Sequence, residues 1–190
     1  MFTVRVDVST IRDIKGAAIE ADLRGAVGSV GAAGRELELS EPAEVHVRVT
    51  NTGHGTLLVQ GKAKARVRAT CDRCLTPFEL EIISDFERQY VRGPEGGQSS
   101  RSPTGEGRGD DVREYQGDVV DIGPDVRESL SLAMPMKLVC ADECKGLCPS
   151  CGKNLNEGPC DCPVTSYDVR LAALADLGLR TKIDRRSDKD

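Results

Sequence analysis

Tryptophan is absent from this 190-residue chain, and it carries only three Phe and three Tyr. So few rings cannot line a large aromatic pocket, and none are available to stack bases between cationic side chains. Histidine is nearly as scarce. His46 alternates with Val45 and Val47 and is expected on the solvent side of a strand, while His54 falls in the turn-forming NTGHG. Neither has the setting of a catalytic base. GxSxG, P-loop and HExxH patterns are all missing, and Gly28 to Gly34 lacks the Lys of a phosphate cradle. No small-molecule substrate and no enzymatic activity are expected.

Long apolar runs are missing too. Nothing approaches the roughly 20 residues of a membrane-spanning helix. The opening MFTVRVDVSTIRD alternates where an export signal would be continuously apolar, so a cytoplasmic chain away from membranes is expected. Lys plus Arg number 26 against 31 Asp plus Glu, a net charge of −5. That balance argues against gripping nucleic acid by bulk electrostatics, though it permits a local basic face.

What is present reads mainly as strands. Val4, Val6 and Val8, then Val45, Val47 and Val49, recur with period two, which belongs to strands with one buried face. Residues 25–35 carry glycines among small residues and read as a loop. Between 11 and 23 the pattern fits either a helix or a bent strand. Lys62, Lys64, Arg66 and Arg68 share one face of a strand, with Ala63, Ala65, Val67 and Ala69 on the other. After CDRC, Phe78, Leu80 and Ile82 alternate with Glu79 and Glu81. If Cys71 lies opposite Cys74, a hairpin places Val67 opposite Phe78, Arg66 opposite Glu79 and Lys64 opposite Glu81. A slip of two residues would preserve the same faces.

Residues 93–111, GPEGGQSSRSPTGEGRGDD, hold no large apolar side chain and are expected to be a flexible insertion. Strand-like residues resume at Val119, and GPDVRESLSLAMP reads as a short helix with Pro124 early and Pro135 after its end. Asp168 can cap a second helix bearing Leu171, Leu174 and Leu177. The expected fold is α+β: an antiparallel β-rich domain with short helices and a C-terminal cysteine-rich zinc knuckle. Its parts are a β-rich 1–92, the insertion 93–111, a continuation over 112–139, the knuckle over 140–163, and a helix with charged tail over 164–190.

Six of the eight cysteines, Cys140, Cys144, Cys148, Cys151, Cys160 and Cys162, lie within 23 residues. Reduced thiols at that density point to a structural zinc, which takes four thiolates tetrahedrally. Cys148 and Cys151 form the sharpest half-site, because Gly152 lets the CPSCG backbone curl. Two sulfurs from Cys144, Cys160 and Cys162 would complete it, with Cys160 the first choice. Alternatively the six could share two ions. Cys71 and Cys74 form a second CxxC, which can be half of another metal site completed by Cys140 and Cys144, a packed pair, or a redox dithiol. The cations Lys62, Lys64, Arg66 and Arg68 would sit about 6.6 Å apart, comparable to backbone phosphates; they read either as an ordinary solvated face or as a contact for a phosphate backbone or an acidic protein, with Glu79 and Glu81 offsetting part of their field.

The order of these motifs resembles the YceD family, also called domain-of-unknown-function family 177 or large ribosomal RNA subunit accumulation protein. The resemblance rests on Cys71-Asp72-Arg73-Cys74-Leu75 and Phe78, on Asp121, Glu128, Leu132 and Pro135, on KGLCPSCGKNLNEGPCDC, and on the trailing RLAAL. It implies a cytoplasmic, non-catalytic role in synthesis, processing or stability of large-subunit ribosomal RNA, with that RNA or a ribosomal protein as partner. The full cysteine set resembles the family's metal-bearing form, and 93–111 is not part of the family pattern. A thiol redox protein or a zinc-stabilised adaptor are the alternatives.

Overall fold

The computed structural model describes residues 4–32, 34–93 and 112–162. Most of the insertion and the whole expected second helix therefore lie outside the described residues. The centre is a five-stranded sheet in the order β2-β5-β6-β7-β8. Its strands are β2 (Ala18–Gly25), β5 (Ala43–Gly53), β6 (Thr56–Thr70), β7 (Pro77–Arg92) and β8 (Val112–Tyr115). The first four run antiparallel, but β7 and β8 pair in parallel over Gln89–Arg92, so the sheet is mixed and not purely antiparallel.

Two small ribbons flank it. β1 (Arg5–Asp7) pairs with β9 (Val119–Asp121), and β3 (Val30–Ala32) pairs with β4 (Arg35–Leu37). The glycine-rich stretch read as a loop thus contains half of a hairpin. The ambiguous segment after Ile11 resolves into turns followed by β2, which buried Asn51 secures. Its side-chain amide donates to the carbonyls of Ile11 and Arg12 at 2.8 and 2.7 Å.

Alternation explains the layers. Val45, Val47, Val49, Val59, Ala63, Ala65 and Val67 are buried on one sheet face. Against them lies α1 (Gly123–Leu132), the single helix among the described residues, with Val126 and Leu130 buried. Met134, not Ala133, continues its apolar side. Pro124 stands in the first turn, where its missing N–H costs no intrahelical bond. The helix is pinned electrostatically as well. Asp125, 1% exposed, receives the Tyr90 hydroxyl, an Arg88 contact at 3.1 Å and an Arg113 contact at 2.5 Å. Burial, then the Asp125 bond, drives the Tyr90 phenol above its ordinary pKa and keeps it a donor.

The β6–β7 hairpin forms with the expected faces and a different register. Arg66 lies opposite Glu81, Arg68 opposite Glu79 and Val67 opposite Leu80, a shift of two residues, with Thr70↔Pro77 as the last pair. The connection is longer because the CDRC backbone curls around its first sulfur instead of closing the ladder. The Leu75 N–H donates to the Cys71 carbonyl at 2.9 Å, and Leu75 itself adopts φ +60°. No helix among the described residues is long and apolar enough to cross a membrane.

Candidate functional site

The hairpin tip and the segment after α1 meet at cysteine. The Cys71, Cys74, Cys140 and Cys144 sulfurs lie within 4.8 Å of one another, and the same holds for Cys148, Cys151, Cys160 and Cys162. All eight thiols are divided between these two tetrads. Cys140 and Cys144 lie with the distant Cys71 and Cys74, the completion the sequence offered for that CxxC, and Cys144 is therefore not a member of the Cys148 set. Cys160 and Cys162 both join Cys148 and Cys151.

Four thiolates at about 2.3 Å from a tetrahedral ion stand about 3.8 Å apart. Cys71 and Cys144 are separated by 3.8 Å and Cys74 and Cys140 by 3.6 Å, and none of the eight is in a disulfide. The donor sets fit such an ion, and both clusters can hold a metal.

The surrounding groups favour thiolate in a patterned way. Burial opposes ionisation of Cys71, yet the backbone N–H groups of Cys74, Cys140 and Arg73 together bring its pKa down to about 6. Backbone N–H groups of Cys151 and Ser150 do the same at Cys148, also to about 6. The first cysteine of each CxxC is thus cradled by the turn that follows it. Cys140 and Cys162 move the other way, to about 12, because their thiols donate to the neighbouring sulfurs of Cys74 and Cys151 respectively. Without a cation, sulfurs this close cannot all ionise.

Polar side chains fix both clusters on the sheet. Asp72 accepts from the Leu138 N–H at 2.9 Å while its own N–H donates to the Leu138 carbonyl at 2.7 Å, and Arg35 reaches its other oxygen at 2.6 Å. The Arg73 guanidinium donates to the carbonyls of Asp142 and Cys144, both at 3.1 Å. Gly146, φ +74°, passes so close that a Cβ there would stand 3.1 Å from the Arg73 carbonyl. In the second cluster the Gly152 N–H returns to the Cys148 carbonyl at 2.9 Å, with Gly152 at φ +73° as its turn requires. Asn154 and Asn156 join the halves: Asn156 Nδ2 donates to Cys144 Sγ at 3.3 Å, and Asn154 Nδ2 to Thr76 Oγ1 at 3.4 Å. Composition alone does not single these residues out; the NLN run between the cysteine pairs is their one signal.

Lys62, Lys64, Arg66 and Arg68 lie along the outer face of β6 and far from uncompensated. Lys64 and Arg66 reach Glu81 at 3.0 and 3.6 Å, Arg66 also reaches Glu41 at 3.7 Å, and Lys62 reaches Asp85 at 4.0 Å. Arg68 has no ion-pair partner of this kind among the described residues. His46 projects from β5 onto the same face and meets Asp22 at 2.8 Å.

A mixed β-sheet with two cysteine tetrads at one end is the class these features define: a metal-competent, thiol-stapled β protein. The family model described as large ribosomal RNA subunit accumulation protein YceD matches residues 59–178, and the chain belongs to that family. The matched stretch takes in all eight cysteines. A Zea mays protein named large ribosomal RNA subunit accumulation protein YCED homolog 1, chloroplastic, is 26% identical over 168 residues, covering 74% of this chain and 57% of the relative. Its Arabidopsis thaliana namesake is 34% identical over 58 residues, 30% of this chain and 18% of the relative. An uncharacterised Mycobacterium tuberculosis protein is 27% identical over 116 residues, 61% of this chain and 53% of the relative. The chain therefore spans at most a little over half the length of these relatives. No solved structure matches.

Proposed function

We propose that this chain is a non-enzymatic binding factor that supports accumulation of large-subunit ribosomal RNA, with a structural zinc ion in each cysteine tetrad. The role follows from family membership. The binding-factor reading is carried by one observation, the division of all eight thiols into two complete tetrads. A tetrahedral ion with four protein ligands has no open position for chemistry. The same arrangement counts against a redox dithiol, because Cys71 and Cys74 stand beside Cys140 and Cys144 as two members of a four-sulfur set. Zinc fits because it is borderline-soft, redox-inert and content with four thiolates.

The RNA is contacted through phosphates by Lys62, Lys64, Arg66 and Arg68. Their alternation on one face supports this, and the flanking carboxylates keep the contact weak enough to be reversible. Native mass spectrometry should find two zinc ions per chain. Replacing the four cations with Gln should lower affinity for large-subunit RNA and flatten its salt dependence without unfolding the sheet. A metal-free protein, or an unchanged affinity and salt slope in the Gln variant, would sink the corresponding half of the proposal.

A further inference from the structure

The two cysteine tetrads differ in how far they are shielded from solvent. Cys71, Cys74 and Cys144 are buried, and Cys140 is the one exposed member of their set. Phe78, Val139 and Leu147 pack around those sulfurs, while Asp72 and Arg73 clamp the adjoining segment. In the other set only Cys148 is buried; Cys151 is exposed, and Cys160 and Cys162 are partly so. No residue from 149 to 162 is buried, so no apolar core holds that stretch and its sulfurs must. The Cys162 thiol donates to the Cys151 sulfur, which gives the exposed thiol an accessible neighbour. Cys140 has none of that kind, because the sulfurs around it belong to buried Cys71, Cys74 and Cys144. Oxidation of a thiolate follows its exposure and the presence of a second thiol that can resolve the product.

We infer that Cys151 and Cys162 form an oxidation site for hydrogen peroxide, which opens the second cluster and leaves the first closed. The inference rests on the zinc reading of both tetrads. The Cys151 thiolate attacks one peroxide oxygen, the O–O bond breaks, and the departing hydroxide takes a proton from solvent to become water. The Cys162 thiolate then attacks the Cys151 sulfur, the S–O bond breaks, and a second hydroxide leaves and is protonated to water. The two thiolates lose two electrons, the peroxide gains them with two protons, and one S–S bond forms. Cys148 and Cys160 are then the only thiolates left in that set, two short of a closed zinc site. The stretch 149–162 has no buried residue to hold it and opens. The first cluster keeps its packing and the Asp72 and Arg73 clamps, none of which involves that stretch.

The test treats the full-length, zinc-loaded protein with hydrogen peroxide in the presence of a chromogenic zinc indicator. One ion should be released at least about tenfold faster than the other. Alkylation in denaturant followed by peptide mass spectrometry should then find Cys71, Cys74, Cys140 and Cys144 as free thiols and a disulfide between Cys151 and Cys162. Dithiothreitol and added zinc should restore the starting state. Cys162→His keeps four ligands and removes the resolving thiol, so it should hold both ions before treatment and carry a dimedone adduct on Cys151 after it. Release of both ions together, oxidation of the first cluster before the second, or a disulfide that excludes Cys151 overturns the inference. So does retention of both ions under peroxide that oxidises free cysteine in the same buffer. Each of those results leaves the zinc reading standing, whereas a chain that carries no metal at the outset overturns both.

Discussion

The side-chain amide of Asn156 donates to the sulfur of Cys144 at 3.3 Å, so a residue between the cysteines of the second cluster touches a sulfur of the first. This is the largest influence holding the Cys144 thiol below its ordinary pKa. Donors to a ligating atom orient it and tune the metal, and their loss typically weakens metal affinity about 10–100-fold. If each tetrad holds zinc as proposed, Asn156→Ala should weaken one of the two sites by that order in a competitive chelator titration, leaving the other nearly unchanged.

The clusters should also differ in what they hold together. The first joins Cys71 to residues about seventy positions later, while the second closes within 15 residues. Cys148→Ser should retain one ion and a docked 138–147 segment, because Asp72 and Arg73 still bind its backbone. Cys71→Ser should lose one ion and expose 138–162 to hydrogen exchange, with the β5–β6 pairing still protected. Mass spectrometry and exchange on the same samples check both outcomes.

Hydrogen bonding from Lys64, reinforced by Arg66, holds the Glu81 carboxyl below the usual carboxylate range. A depressed pKa contributes stability above the ordinary value and loses it as pH falls through the lowered one. The link is therefore closed at neutral pH and opens only in acid. Glu81→Gln should free Lys64 at neutral pH, while Arg66 keeps Glu41 at 3.7 Å, strengthening binding to the proposed RNA partner and steepening its salt slope by up to about one. A salt titration of affinity measures this directly.

Asp125 is buried among Tyr90, Arg88 and Arg113. Removing one partner from a buried charged network strands the others, so Asp125→Ala should cost about 3–5 kcal/mol in urea unfolding. Tyr90→Phe, which leaves the arginines paired with Asp125, should cost about 1–2 kcal/mol.

Gly61 is paired across the sheet with Phe86, whose ring lies where a side chain at 61 would begin: a Cβ would stand 2.5 Å from the ring and 3.0 Å from the His46 carbonyl. The backbone carbonyl cannot move as the ring can. Gly61→Val should destabilise the sheet by about 1–3 kcal/mol, read as a lower thermal midpoint with metal content unchanged.

The sequence by itself determined which face of each strand is buried and which residues can hold metal. Period-two alternation survives any context, and cysteines at this density have few other uses in a reduced chain. Parity, however, is blind to a shift of two, so the β6–β7 register waited on the shape of the CDRC turn. The choice between the partitions of the thiols that the sequence left open waited on the fold as well. Cys140 and Cys144 are nearest Cys148 along the chain, yet Asp72, Arg73 and Leu138 bring that stretch to the hairpin tip. Local pattern is carried by side-chain chemistry a few residues apart, whereas ligand sets and edges arise from contacts between distant segments, which only packing decides.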